Sequence, residues 1–406
     1  MNIERHTLPN GLRIVHHHDP DTAMVAVNML YDVGARDEDP GCTGIAHLFE
    51  HLMFGGSVNV KDFDAELQRA GGQSNAWTGN DFTNFYEILP AHNIETALWL
   101  ESDRMLQPAL GDQALEEQRS VVLEEFKQTC TNAPYGSLMH HLRKLIYTRH
   151  PYRWPVIGVT PDHIKNVTRQ QVQQFFNSHY APGRAILSVS GNINSDKLFR
   201  LAEKWFGDIE NRPTAPRVLP AEPVQTEPRM AVVEKGVPST CVSVCYNMSR
   251  YGTDEYIAAD LITDILSAGK SSRFYRRLFL TTPYFSEIDA SIIGCEDPGV
   301  VMIMAFLNPG VDPRQAIDAI EKELRQLVEQ GATEHELQRA KNKSQSTRTF
   351  GMMNVGTRAS EIALAEYHGE TIAEISARYR NLPLATVNRV AAELFRPENQ
   401  NILIYK

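Results

Sequence analysis

His47, Glu50 and His51 form the run His47-Leu48-Phe49-Glu50-His51, and their types and spacing could do chemistry. At positions i, i+3 and i+4 of a helix, three side chains fall within an arc of roughly 100°. Two imidazole nitrogens on one helical face can grip a divalent metal. The carboxylate then stays beside the open coordination position, where it can take a proton from water. The pattern H-x-x-E-H is the inverse of the H-E-x-x-H zinc signature. Burying two imidazoles and a carboxylate together without a metal would be costly. Two other histidine runs lack this spacing. His16-His17-His18 follows Arg13-Ile14-Val15 and is expected at an exposed strand end, and His140-His141 on a helix surface.

The elements around the motif agree with it. Ile45, Leu48, Leu52 and Met53 alternate with the polar triplet as on a buried helix, and Gly55-Gly56 stops it. A catalytic zinc ordinarily has three protein ligands plus water, so one ligand must come from another element. Gln118 to Phe126 reads as a helix, with Leu115, Val122 and Phe126 as its buried stripe. It carries Glu124 and Glu125, which point about 100° apart and cannot both face one partner.

The chain reads as two halves. Pro213, Pro216, Pro220, Pro223 and Pro228 punctuate a segment that can hold neither a helix nor a central strand. The expected division is a first domain over 1–210, a linker over 211–228 and a second domain over 229–406. A helix from Thr168 with a capping-box pattern, then Pro182 and the strand from Ala185, is echoed by a helix from Thr386, Pro397 and the strand from Ile402. The motif run is echoed by Ala258 to Ile265, with Asp260, Thr263 and Asp264 in place of His47, Glu50 and His51. These echoes share an offset of roughly 215 residues, which suggests duplication with loss of the metal site in the second copy. Strands are expected over Val25–Tyr31 and Phe82–Leu89, and helices over Lys61–Ala70 and His92–Met105. The expected fold class is α+β: two homologous α/β-sandwich halves, each a mainly antiparallel sheet with helices packed on it.

With these residues in place, the chain resembles the pitrilysin/insulinase zinc peptidases, the inverzincins, in the short form similar to the mitochondrial processing peptidase β subunit. The resemblance rests on His47-x-x-Glu50-His51, on Glu125 within Val121-Val122-Leu123-Glu124-Glu125-Phe126, and on Asn75-Ala76-Trp77-Thr78. Asp103-Arg104 and His150-Pro151-Tyr152 add to it. It implies one zinc per chain held by His47, His51 and Glu125, with Glu50 as general base on the attacking water. It implies substrate binding at Asn75, Ala76 and Thr78, the peptide adding as a strand to a sheet edge. In the second half, Arg277 and Tyr284 match the family's Arg-x6-Tyr pair, which helps hold substrate. One departure stands at Gln118, two turns before Glu125, where the family usually has a glutamate; glutamine can hydrogen-bond but brings no charge to the surroundings of the site.

Composition bounds the rest. The 406 residues are 42% hydrophobic and 22% charged, with a net charge of −10, which suits a globular protein and argues against nucleic-acid binding. The start of the chain lacks a signal-peptide pattern, no apolar run reaches membrane length, and the five cysteines show no C-x-x-C spacing. A cytoplasmic protein with reduced thiols, binding no membrane, is expected. The expected activity is zinc-dependent endopeptidase cleavage of peptides or unfolded segments, by a homodimer or a heterodimer with a homologous subunit. The alternatives are a weak or inactive peptide-binding subunit and a presequence-processing peptidase.

Overall fold

The structure, a computed structural model, describes every residue of the chain except Ala215. Compactness divides the described chain into two units. The first comprises residues 1–128, 154–219 and 349–372, and the second 129–153, 220–348 and 373–406. The units therefore differ from the contiguous spans expected from the proline-rich segment. The reason is local packing: each half of the chain sends one helix to cover the sheet of the other half.

The first unit is built on a six-stranded sheet of β1 (Glu4–Thr7), β2 (Arg13–His18), β3 (Met24–Tyr31), β4 (Gln73–Thr78), β5 (Thr83–Pro90) and β6 (Ala185–Gly191), in the order β1-β2-β6-β3-β5-β4. Only β2 and β6 run parallel; the other neighbours are antiparallel. The helices Ile45–Phe54, Ile94–Leu106 and Arg169–His179 pack their apolar stripes on one face, around Leu48, Phe49, Leu98, Phe175 and Phe85. Val15, Leu30, Phe82 and Ile186 form a smaller core with Ile362 and Ala363 of the helix Val355–Tyr367. Strand β3 contributes to both cores and is buried at seven of its eight residues, so it reads as a continuous apolar run.

The second unit repeats the plan. Its strands β7 (Arg229–Val233), β8 (Cys241–Asn247), β9 (Phe285–Ile293), β10 (Val300–Leu307) and β11 (Gln400–Tyr405) lie in the order β7-β11-β8-β10-β9. The one parallel pair is β7 with β11, matching β2 with β6. The helices Asp254–Ser267, Pro313–Gln330 and Leu384–Leu394 share the main core with β8 and β10. Leu138, Leu142 and Ile146 pack with Cys241, Cys245 and Leu403 in a second one. Apart from β1, which has no counterpart, the two sheets share the order and sense of their strands and bear out the α+β expectation of two homologous halves.

Local rules account for many boundaries. The helix Arg169–His179 starts on the expected capping box, with the Gln171 N–H donating to Thr168 Oγ1 at 3.2 Å and the Thr168 N–H to Gln171 Oε1 at 2.9 Å. The described residues between 210 and 228 form no helix or strand. They are tied down by side chains: Arg217 pairs with Asp37 at 2.6 Å, and Glu222 accepts from the backbone N–H groups of Thr148, Arg149 and His150 at 2.7–2.9 Å. His16 is a correction. It is 1% exposed, with Nδ1 2.9 Å from the Val189 oxygen and Nε2 2.8 Å from that of Ile193, because it shares the covered face of the strand with Ile14, and only His18, at the strand's end on that same face, is exposed. No helix among the described residues is long and apolar enough to cross a membrane.

Candidate metal centre

His47, Glu50 and His51 lie on one helix, Ile45–Phe54. Leu48, Phe49, Leu52 and Met53 are fully buried, and the Phe49 ring lies among those of Phe175, Phe176 and Tyr180. This packing fixes which face looks outward, and that face carries His47, Glu50 and His51, all half-buried. The far end is anchored by the Asp103-Arg104 pair. Asp103 accepts from the Asn59 side chain at 2.6 Å, in the loop after the helix. Arg104, 1% exposed, pairs with Glu87 and Glu101 and lies over the rings of Phe54, Phe63 and Phe85.

The two imidazole rings stand edge to face, 4.8 Å apart at an interplanar angle of 87°. The helix Asp112–Phe126 buries Leu115, Val122 and Phe126, the stripe expected from its sequence, and brings Glu125 to the histidines. Glu125 Oε2 lies 3.7 Å from His47 Nε2 and 3.4 Å from His51 Nε2. One ligand atom from each residue lies within 4.8 Å of the others, and these three residues form the one metal-compatible cluster of His, Cys, Asp and Glu among the described residues. Glu124 points away, exposed, and pairs with Lys127 at 3.2 Å.

The donor set suits a cation. Two imidazole nitrogens and a carboxylate oxygen are borderline ligands of the kind zinc takes. Burial, helped by the neighbouring His51, pushes His47 down to about 4, so its lone pair is free at neutral pH. Burial also lowers His51, against the pull of Glu125. His47 Nδ1 is buried with no hydrogen-bond partner, so a cation on the other nitrogen would be the influence that fixes its tautomer.

Beside the cluster, burial raises the Glu50 carboxyl, while Thr78 opposes the shift by donating its hydroxyl hydrogen to Glu50 Oε2. Thr78 ends β4, the outer strand of its sheet, which pairs with β5 alone. On that strand Asn75 is exposed, its side-chain oxygen accepting from the Ala76 N–H at 2.8 Å, and Ala76 packs on the core. The Thr78–Glu50 bond is a contact that sequence reasoning missed; the type of residue 78 was visible, but not the residue it would meet. Gln118 lies by the end of the motif helix, its Nε2 3.8 Å from where a Cβ on Gly55 would sit.

Arg277 and Tyr284 belong to the second unit. Arg277 Nη1 bonds Glu323 at 3.1 Å and Gln326 at 3.4 Å, and Tyr284 packs on the main core. The two residues line one cavity of about 660 Å³ with Lys322, Glu323 and Gln326.

Comparison with known proteins gives this arrangement its relatives. Residues 13–158 match the family profile described as Insulinase (Peptidase family M16), and residues 166–344 the one described as Peptidase M16 inactive domain. A Helicobacter pylori protein named zinc protease PqqE is 30% identical over 98% of this chain and 92% of its own. A crystal structure of a protease from Helicobacter pylori superposes with a TM-score of 0.93 at 29% identity, covering 100% of this chain and 99% of that one. The periplasmic protease PqqL from Escherichia coli shares the fold, with a TM-score of 0.82 at 17% identity; the match covers 100% of this chain and 47% of that one. The chain belongs to the insulinase, or M16, family of peptidases.

Proposed function

We infer that the chain is a zinc-dependent endopeptidase acting on peptides or unfolded segments, with His47, His51 and Glu125 holding one zinc ion and Glu50 acting as general base. The observation that carries this reading is the convergence of two neutral-ready imidazoles and one carboxylate beside a second, partly buried carboxylate. Zinc held there would polarise a water molecule and the scissile carbonyl. Glu50, with one oxygen tied to Thr78, keeps the other to take the water's proton and return it to the leaving amine. Burial raises its affinity for that proton, which suits an acid–base role near neutral pH. The outer edge of β4 offers backbone groups to an extended peptide, so Asn75, Ala76 and Thr78 would lie along its path. Arg277 and Tyr284 line a cavity of the second unit and would help to hold substrate, as the family's Arg-x6-Tyr pair does.

Gln118 favours the alternative of a weakly active or inactive subunit, because an uncharged group replaces the acid usual in the family. The intact set of His47, Glu50, His51 and Glu125 weighs more. PqqL spans more than twice the length matched here, and we assign the second pair of units to another chain, identical or homologous. Cys42, Cys130, Cys241 and Cys245 are free thiols, which supports a reducing compartment.

Metal analysis combined with digestion of a peptide mixture, with and without chelator, tests the reading. Zinc near one per chain and chelator-sensitive cleavage are expected. Glu50→Gln should keep the metal and lose on the order of 10²–10⁴-fold in turnover; cleavage at the parent rate would overturn the assignment. A basic presequence cut in preference to the mixture would point to a processing peptidase.

A further inference from the structure

The helix that carries His47 and His51 begins without a side-chain cap of its own. Its N-cap is Gly44 at φ 90°, and no acidic residue lies in its first turn. A side chain there is sterically barred, since a Cβ on Gly44 would meet Ile164 Cδ1 at 2.6 Å and the Ile157 oxygen at 2.8 Å. The corresponding helix of the second unit, Asp254–Ser267, has an ordinary start. There the Tyr256 N–H donates to Thr253 Oγ1, and Asp254 and Glu255 occupy the first turn.

The acceptor missing from the motif helix comes from upstream. The Ala46 N–H donates to Glu38 Oε1 at 2.9 Å, and the Gly44 N–H faces the same carboxyl. Glu38 is 6% exposed. It follows the turn Ala35–Asp37, which is itself clamped: the Trp154 indole N–H donates to the Ala35 oxygen at 2.9 Å, and Arg217 pairs with Asp37. Burial pushes the Glu38 carboxyl up to about 8, with the two helix N–H groups working against the shift. A carboxyl at the positive end of a helix satisfies orphan donors whether or not it keeps its proton, because an oxygen still accepts.

Ala46 directly precedes His47. His51 sits in the last turn of the helix, whereas His47 sits in the first, where backbone donors lack intrahelical partners and a helix frays. Fixing the Ala46 N–H fixes the backbone that aims the His47 ring toward Glu125, 3.7 Å away.

We propose that Glu38 is a positioning residue for the metal centre: its carboxyl caps the motif helix from outside and holds the His47 imidazole where the His51 imidazole and the Glu125 carboxylate converge. The proposal rests on the zinc reading above. Its test is zinc affinity, measured by competition with a chromophoric chelator, beside thermal unfolding of the metal-free protein. Glu38→Ala should weaken zinc binding on the order of 10-fold, as loss of a partner behind a ligand does, while metal-free protein still folds. Glu38→Gln, whose amide oxygen can accept the same N–H, should restore binding. Should Glu38→Ala fail to fold, Glu38→Asp, one methylene short, replaces it. A purely structural role would lower metal-free stability and leave the folded protein's zinc affinity unchanged, and that result overturns the proposal. Absence of zinc from the parent protein would overturn both this proposal and the peptidase reading; a zinc-loaded, active parent with unchanged Glu38→Ala affinity would overturn this proposal alone.

Discussion

The motif helix of the first unit and the helix Asp254–Ser267 of the second occupy the same place after the central strands β3 and β8, yet they present different chemistry, imidazoles in one and carboxyls in the other. In the first, two imidazoles meet a carboxylate from the helix Asp112–Phe126. In the second, Asp264 meets Lys343 of the helix Glu334–Gly351 at 2.6 Å, and Asp260 accepts from the Tyr379 hydroxyl at 2.7 Å. Glu125 and Lys343 stand apart by roughly the offset that relates the two halves. On the zinc reading proposed above, the first unit would take its cation from solution, whereas the second carries one, Lys343, on its own chain.

The most drastic way to break this comparison is to transplant the second set into the first. His47→Asp, His51→Asp and Glu125→Lys together should abolish zinc binding and cleavage while leaving a folded protein. Its melting temperature should no longer respond to chelator. Retained zinc at one per chain, read by metal analysis, would show that the ligands lie elsewhere.

A smaller effect is expected at Thr78, the residue that holds the Glu50 carboxylate. The second unit has no acid in the Glu50 position; Thr263 stands there and bonds the Asp260 backbone oxygen at 2.7 Å. Thr78→Val keeps the shape and removes the donor, and it should lower kcat on the order of 10-fold with zinc content unchanged. A change in KM alone would move Thr78 from orienting the base to contacting substrate.

The smallest effect lies at Asp260. Burial raises its carboxyl above the ordinary range, against the Tyr379 bond, which works the other way. A carboxyl held high in the folded state binds its proton more tightly there than in the unfolded chain, so ionising it costs stability at neutral pH. Asp260→Asn, which keeps an oxygen for Tyr379, should therefore raise the melting temperature at pH 7, on the order of 2 °C. The gain should vanish as the pH falls below the ordinary carboxylate range. A drop at pH 7 would mean the Asp260 charge is stabilising.

Much of this was legible in the order of residues, for reasons that differ by element. Helical spacing placed His47, Glu50 and His51 on one face, and the buried stripe of Leu115, Val122 and Phe126 marked the second helix. What spacing left open was which of two adjacent glutamates faces the histidines; that depended on how one helix lies against another. The paired sheets followed from the echoes at Thr168 and Thr386. The burial of His16 was hidden because two polar neighbours masked the alternation. The Glu38 cap left no trace either, since it joins a turn to a helix whose own N-cap is glycine. Nor did periodicity reveal where Leu138–Ile146 and Val355–Tyr367 would dock, because an apolar stripe shows that a helix is covered without naming the sheet that covers it.

The reciprocal loan of those two helices has a consequence for synthesis. A nascent chain that has emerged only as far as the proline-rich segment has made every strand of its first sheet, but lacks the helix that shields Val15, Leu30, Phe82 and Ile186. That apolar face must wait through more than a hundred further residues of translation, a delay during which it is open to aggregation. Severing the gene at the midpoint would thus yield two sticky fragments instead of two small proteins, and an ancestral duplication, once the helices had been traded, could not easily be undone.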